Sequence, residues 1–121
     1  MAQGSELYYL EGKKYFDLME FDLALSSFER ALELLELANN PDEMRRAELY
    51  NRIALCHYYR FDATRAYDYM QRSLEIKERL LDPQSETLKI AQENLVEIKR
   101  EMHKGQKYPP HSSGFFWNFW S

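Results

Sequence analysis

The sequence predicts an all-α protein built from repeated antiparallel helix pairs, and three observations predict it. Only four Gly and four Pro occur in 121 residues, and none lies between Asp42 and Leu81, so long stretches are free of helix breakers. Phe21, Ala24, Leu25, Phe28, Ala31, Leu32 and Leu35 recur at helical spacing and gather on one face. Finally, a shift of 42 positions lays the chain on itself. Leu7-Tyr8 falls on Leu49-Tyr50, Gly12 on Ala54, Phe16 on Tyr58, Glu20 on Asp62 and Ala24 on Ala66. Phe28 falls on Met70, Leu32-Glu33 on Leu74-Glu75, Leu34 on Ile76 and Asn40-Pro41 on Asp82-Pro83. Small matches small, large apolar matches large apolar, and helix-start signals coincide, which is the mark of a stacked repeat.

Each unit reads as two helices. The first spans about Ser5 to Leu18, a tight turn follows near Met19-Glu20, and the second runs from about Phe21 to Ala38. Asn40 is suited to cap the next helix, with Pro41 at its first position and Glu43 completing a capping box. That third helix is expected from about Pro41 to Arg60, and its partner from about Asp62 to Leu81. Asp82-Pro83 or Ser85 starts a fifth helix that continues to about Lys104 and stops at Gly105. Residues 1–104 therefore form a helical repeat domain, and 105–121 a separate linker and tail.

Tyr8, Gly12, Tyr15, Phe21, Ala24, Phe28 and Ala31 stand in the spacing of the tetratricopeptide repeat signature, and this segment resembles that family. Tyr50, Ala54, Ala66, Met70 and Ser73 keep the pattern more loosely. The long period, with Leu80-Leu81-Asp82-Pro83 followed by Asn94-Leu95, is similar to the kinesin-light-chain-like branch of the family. The resemblance covers residues of about 5 to 104. It implies a right-handed superhelix of antiparallel helix pairs, here two repeats plus a capping helix. The fifth helix departs from the signature, since Gln92, Val96, Lys99 and Arg100 stand where Tyr50, Ala54, His57 and Tyr58 stood, and its polar face suits a cap.

The resemblance also implies a function: binding of a peptide or helix in a concave groove lined by the first helix of each repeat. Carried over by position, the groove would take Tyr9, Lys13, Phe16 and Asp17 from the first helix. Asn51, Leu55, Tyr58 and Tyr59 would come from the third, and Glu93, Glu97 and Arg100 from the fifth. Aromatic faces supply area, and the Asn51 amide can both donate to and accept from a peptide backbone. Phe16 and Tyr58 fit equally well as packing between repeats. Some family members clamp a C-terminal carboxylate with Lys, Arg and Asn. Here the matching positions hold Tyr9, Glu48, Ile90 and Glu93 beside Lys13, Arg52 and Asn94, which argues against such a clamp and for apolar or aromatic ligands with some positive charge.

After Gly105 the composition changes. Lys107-Tyr108-Pro109-Pro110-His111-Ser112-Ser113-Gly114 is an extended, turn-rich linker. Phe115, Phe116, Trp117, Phe119 and Trp120 then crowd five aromatic rings into seven residues. Exposed, such a run is an aggregation hazard, so it is expected to dock on its own chain or on a neighbouring copy. Occupying the groove until a partner displaces it would make the tail an autoinhibitory element. Docking in a second copy would make it an assembly element, and insertion at a membrane interface would make the chain a peripheral adaptor.

Composition bounds the alternatives. The net charge of −4 creates no field favouring nucleic acid or anionic membranes, and a reducing, cytoplasmic setting suits a chain with one cysteine. No apolar run reaches the roughly 20 residues of a membrane span. Cys56 and His57 are adjacent, but neighbours on a helix diverge by about 100°, so they cannot act as nucleophile and base. No spacing of His, Cys, Asp or Glu suggests a metal site, and no Gly-rich phosphate loop is present. The expectation is a non-catalytic protein-binding scaffold without a cofactor.

Overall fold

Five helices follow one another in the computed structural model, which describes residues 2–104: α1 (Ala2–Asp17), α2 (Phe21–Glu36), α3 (Glu43–Tyr59), α4 (Ala63–Leu80) and α5 (Glu86–Lys104). No strand occurs among the described residues. The expected stop at Gly105, the linker and the aromatic tail all lie outside the described residues.

Helix starts are set by short acceptor side chains. Asp42, rather than Asn40, caps α3, its carboxylate accepting from the Arg45 N–H at 3.1 Å. An Asp complements the positive helix terminus with a full charge, so the cap nearer the apolar run prevails and Pro41 stays outside the helix. Asp62 caps α4 in the same way, accepting from the Arg65 N–H at 3.1 Å. At α5 the Ser85 hydroxyl accepts from the Leu88 N–H at 3.4 Å, while the Asp82 carboxylate accepts from the Gln84 N–H at 2.8 Å in the preceding turn.

The two turns within the helix pairs are copies of one another. Met19 (φ 61°) and Phe61 (φ 65°) both adopt the left-handed conformation, and they are one 42-residue period apart. In each, the next residue reaches back to close the helix end: the Glu20 N–H donates to the Tyr15 carbonyl, and the Asp62 N–H to the His57 carbonyl, both at 2.9 Å. Neither position is glycine, so each turn stores on the order of 1 kcal/mol of strain that the packing on either side must offset.

Packing within each pair follows from small residues at the closest approaches. A Cβ built on Gly12 would meet the Phe28 ring at 2.6 Å, so only glycine lets this ring lie against α1. The second repeat solves the same crossing with Ala54 and the slimmer Met70, both buried. A second compensation joins Ser5 to Ala31 and Ser73 to Ala47. The Ser5 hydroxyl donates from α1 to the Ala31 carbonyl, whereas Ser73 donates from α4 back to the Ala47 carbonyl, both at 2.8 Å and both buried. Shifted by 42, these are the same two positions with serine and alanine exchanged. Both positions must stay small, and one hydroxyl per crossing is enough.

The pairs then stack. α3 lies against α2, held at its ends by Arg46–Glu36 (3.7 Å) and Arg60–Asp22 (2.6 Å). Phe28, Leu49, Ile53, Leu55, Met70 and Ile98 are the largest wholly buried apolar side chains, so one core runs from α1 to α5. Leu74, Leu88 and Ala91 form a smaller cluster where α5 covers α4.

Candidate partner-binding face

α1 and α3 run in the same direction along one side of the stack, and their facing side chains mesh in register. The Arg45 guanidinium pairs with Glu6 at 2.8 Å and lies 4.1 Å from the centre of the Tyr9 ring. The Tyr9 hydroxyl donates to Glu48 at 3.1 Å, and Lys13 approaches the same ring at 5.4 Å. One turn further on, the Arg52 guanidinium sits 5.9 Å from the Phe16 ring. Phe16, Phe21 and Tyr59 complete the series as a three-ring cluster. Phe21 and Tyr59 stack at 4.8 Å with only 4° between planes, and Phe16 meets both edge-on. α5 joins at the same end, where the carboxylates of Glu101 and Glu97 act on Tyr58.

The positions expected to line the groove separate by burial. Lys13 and Tyr59 are partly exposed at the α1–α3 seam, and Asp17 and Glu93 are exposed. Arg100 is exposed and paired with Glu97 at 2.8 Å. Tyr9, Phe16 and Tyr58 expose 5%, 7% and 3% of their surface, so they present ring edges at most. Leu55 exposes none and packs inside the core, and Asn51 is buried with its side-chain Oδ1 unpartnered. The reason is that α3 is wedged among its neighbours: every residue from 51 to 58 is buried, whichever side of the helix it occupies. Arg45 completes the face without having been expected there. Its spacing from Glu48 and Arg52 is the available signal, since the three share one stripe of α3.

Burial dominates the titration of the groups on and beneath this face. Burial, helped by Glu48, raises Tyr9 above the usual phenol range, while Arg52 and Arg45 pull the other way. Burial likewise raises Tyr58 and Tyr59. The Cys56 thiol is pushed up to about 12 by burial, so it is not a thiolate near neutrality. Burial also lowers His57, whose ring stacks on Tyr69 at 5.6 Å and whose Nδ1 has no hydrogen-bond partner. Among the described residues there is no group of three or more His, Cys, Asp or Glu able to hold a metal ion. No helix among them is long and apolar enough to cross a membrane.

Set beside known proteins, the chain is matched over residues 8–79 by the family model described as Tetratricopeptide repeat. That span takes in α2, α3, all of α4 but its last residue, and the last ten residues of α1. No curated protein and no solved structure matches the chain.

Proposed function

Because the chain belongs to the tetratricopeptide repeat family, whose repeats generally mediate protein–protein contacts, we propose that it is a scaffold that binds an aromatic peptide along the α1–α3–α5 face. The observation that carries this reading is the Phe16–Phe21–Tyr59 ring cluster, continued along the same seam by the Tyr9 ring with Lys13 and Arg45 against it. The partly exposed Phe21 and Tyr59 rings and the partly exposed Lys13 and Arg45 cations together favour ligands with exposed rings, through stacking and cation–π contact. Lys13 and Tyr59 make the direct contacts. Tyr9, Phe16 and Tyr58 supply ring edges, and Asn51 and Leu55 hold the seam from beneath. The kinesin-light-chain-like character read from the 42-residue period belongs to the same proposal, as does a cytoplasmic site of action.

The chain carries such a ligand itself. Phe115, Phe116, Trp117, Phe119 and Trp120 follow a ten-residue stretch that starts beyond Lys104, the end of α5. Extended, that stretch spans roughly 33 Å, enough to cross two helices spaced about 10 Å apart. The tail docks on this face, of its own chain or of a neighbour, and leaves when a partner competes for it.

Both tryptophans of the protein lie in the tail, so tryptophan emission, excited on the red side of the tyrosine absorption, reports on the tail alone. A docked tail gives blue-shifted emission shielded from iodide, and Tyr59→Ala or Lys13→Glu moves it towards the emission of a free 107–121 peptide. Emission identical to that of the free peptide in the parental protein would exclude docking. Titration of the same peptide into the Trp117→Ala/Trp120→Ala chain tests the face itself, with saturable binding expected and no binding counting against it.

A further inference from the structure

The outward stripe of α1 is a helix-docking surface that no helix covers among the described residues. Leu7, Leu10 and Leu18 are 65%, 50% and 62% exposed. Glu11 and Lys14 are exposed between them. Shifted by 42, the stripe becomes Leu49, Ile53 and Cys56 of α3, flanked by Arg52 and followed by Arg60 just past the helix end, as Leu18 stands just past the end of α1. There Leu49, Ile53 and Cys56 have no exposed surface, because α2 lies over them. Shifted again, it becomes Ala91, Leu95 and Ile98 of α5, covered by α4. The same register position therefore docks a helix in two of its three occurrences.

The charges choose the occupant. α2 covers α3 with Asp22, Glu29 and Glu36, which meet Arg60 and Arg46 at the two ends and act on Cys56 between them. In α1 the equivalents of Arg46 and Arg60 are Gly4 and Leu18, so a helix of the α2 kind would bring three acids to a single lysine and an exposed glutamate. A second copy of α1 fits instead. Leu7, Glu11, Lys14 and Leu18 are spaced four, three and four residues apart, an antiparallel seam. About a two-fold axis midway along it, Leu7 faces the second copy's Leu18 and Glu11 faces its Lys14, each contact occurring twice. Glu11 keeps its hydrogen bond from the Ser27 hydroxyl (2.8 Å) on the other side of its carboxylate.

We propose that two copies of this chain pair through the outward faces of their α1 helices, antiparallel and in this register. The α1–α3 seam lies on a different side of α1, through Glu6, Tyr9, Lys13 and Phe16, so the pair carries two binding faces and gains avidity for a bivalent ligand that displaces both tails. One helix on one helix is a small interface, so the association is weak and concentration-dependent.

Sedimentation equilibrium of the full chain tests this. The weight-average mass should climb from 14.6 kDa towards twice that value with concentration. Leu7→Lys/Leu18→Lys should stay monomeric with unchanged circular dichroism, since both side chains face solvent in the single copy. Glu11→Lys and Lys14→Glu should each weaken self-association, and a mixture of the two should regain it, because the mixed pair sets Lys against Glu at both crossings. A parental chain that stays monomeric at all concentrations overturns the proposal. So does a dimer that survives Leu7→Lys/Leu18→Lys but is lost with Trp117→Ala/Trp120→Ala, and so does a charge-swapped mixture that fails to pair.

Discussion

Gly12→Ala isolates the packing of the first helix pair. In an exposed helix the change would stabilise by about 1 kcal/mol, because alanine loses less backbone entropy on folding. Here the added carbon would lie 2.6 Å from two atoms of the Phe28 ring, and that ring has no exposed surface into which it could swing. Overpacking of this kind costs roughly 1–3 kcal/mol, and a contact this short belongs at the upper part of that range. The net expectation is a loss of about 1–2 kcal/mol, or a fall in melting temperature of roughly 5–15 °C for a domain of this size. The second repeat supplies the remedy, since alanine faces methionine there at Ala54 and Met70. Adding Phe28→Met to Gly12→Ala should therefore recover about 1 kcal/mol or more in a double-mutant cycle. Thermal and urea unfolding followed by circular dichroism measures all four proteins. If Gly12→Ala alone melts at or above the parental temperature, α1 and α2 do not approach as described, and the close-packing account fails.

Two further predictions concern buried groups. Burial holds the Lys77 ammonium down to about 8, against an ordinary value of 10.5, with Glu48 opposing the shift. Between those values the unfolded chain binds the extra proton, so this residue makes stability rise as pH increases from about 8 towards 10. Urea midpoints across that window should rise in the parental protein and flatten in Lys77→Met; equal slopes in the two would refute the assignment. For Cys56, a thiol held up at about 12 with no exposed surface reacts only when the structure opens. Labelling by a thiol reagent near neutral pH should be slow and accelerate with urea, whereas rapid stoichiometric labelling of the native protein would show the core is open there.

The helix pairs and their period were legible because each rests on local chemistry. Periodic Leu, Ala and Phe mark one face, and Asp62 and Ser85 cap helices through side chains that act within three residues; at α3 the expected cap, Asn40, lost to Asp42 two residues on. The left-handed turns were legible in place but not in conformation, since Met19 and Phe61 carry no glycine signal. The binding face was less legible. A helical wheel shows which residues share a side, not how many neighbours that side meets. Leu55 and Asn51 look as available in the sequence as Tyr59 does, yet they are buried while Tyr59 keeps surface at the seam. Arg45 and Arg52 owe their part to the register of α1 against α3, set by contacts such as Tyr9–Glu48 that join residues far apart in the chain.

By itself, then, the sequence determined the all-α class, the 42-residue repeat and the helix boundaries to within a few residues, because helix propensity, capping and periodicity are short-range effects. Tertiary structure alone decided which partner each small residue serves, with Gly12 under Phe28 and serine and alanine trading places across the two crossings. It alone decided that the stripe buried in α3 is exposed in α1, with no helix over it among the described residues. Burial is a property of what packs on a face, and a repeated sequence presents the same kind of face where a helix covers it and where, among the described residues, none does.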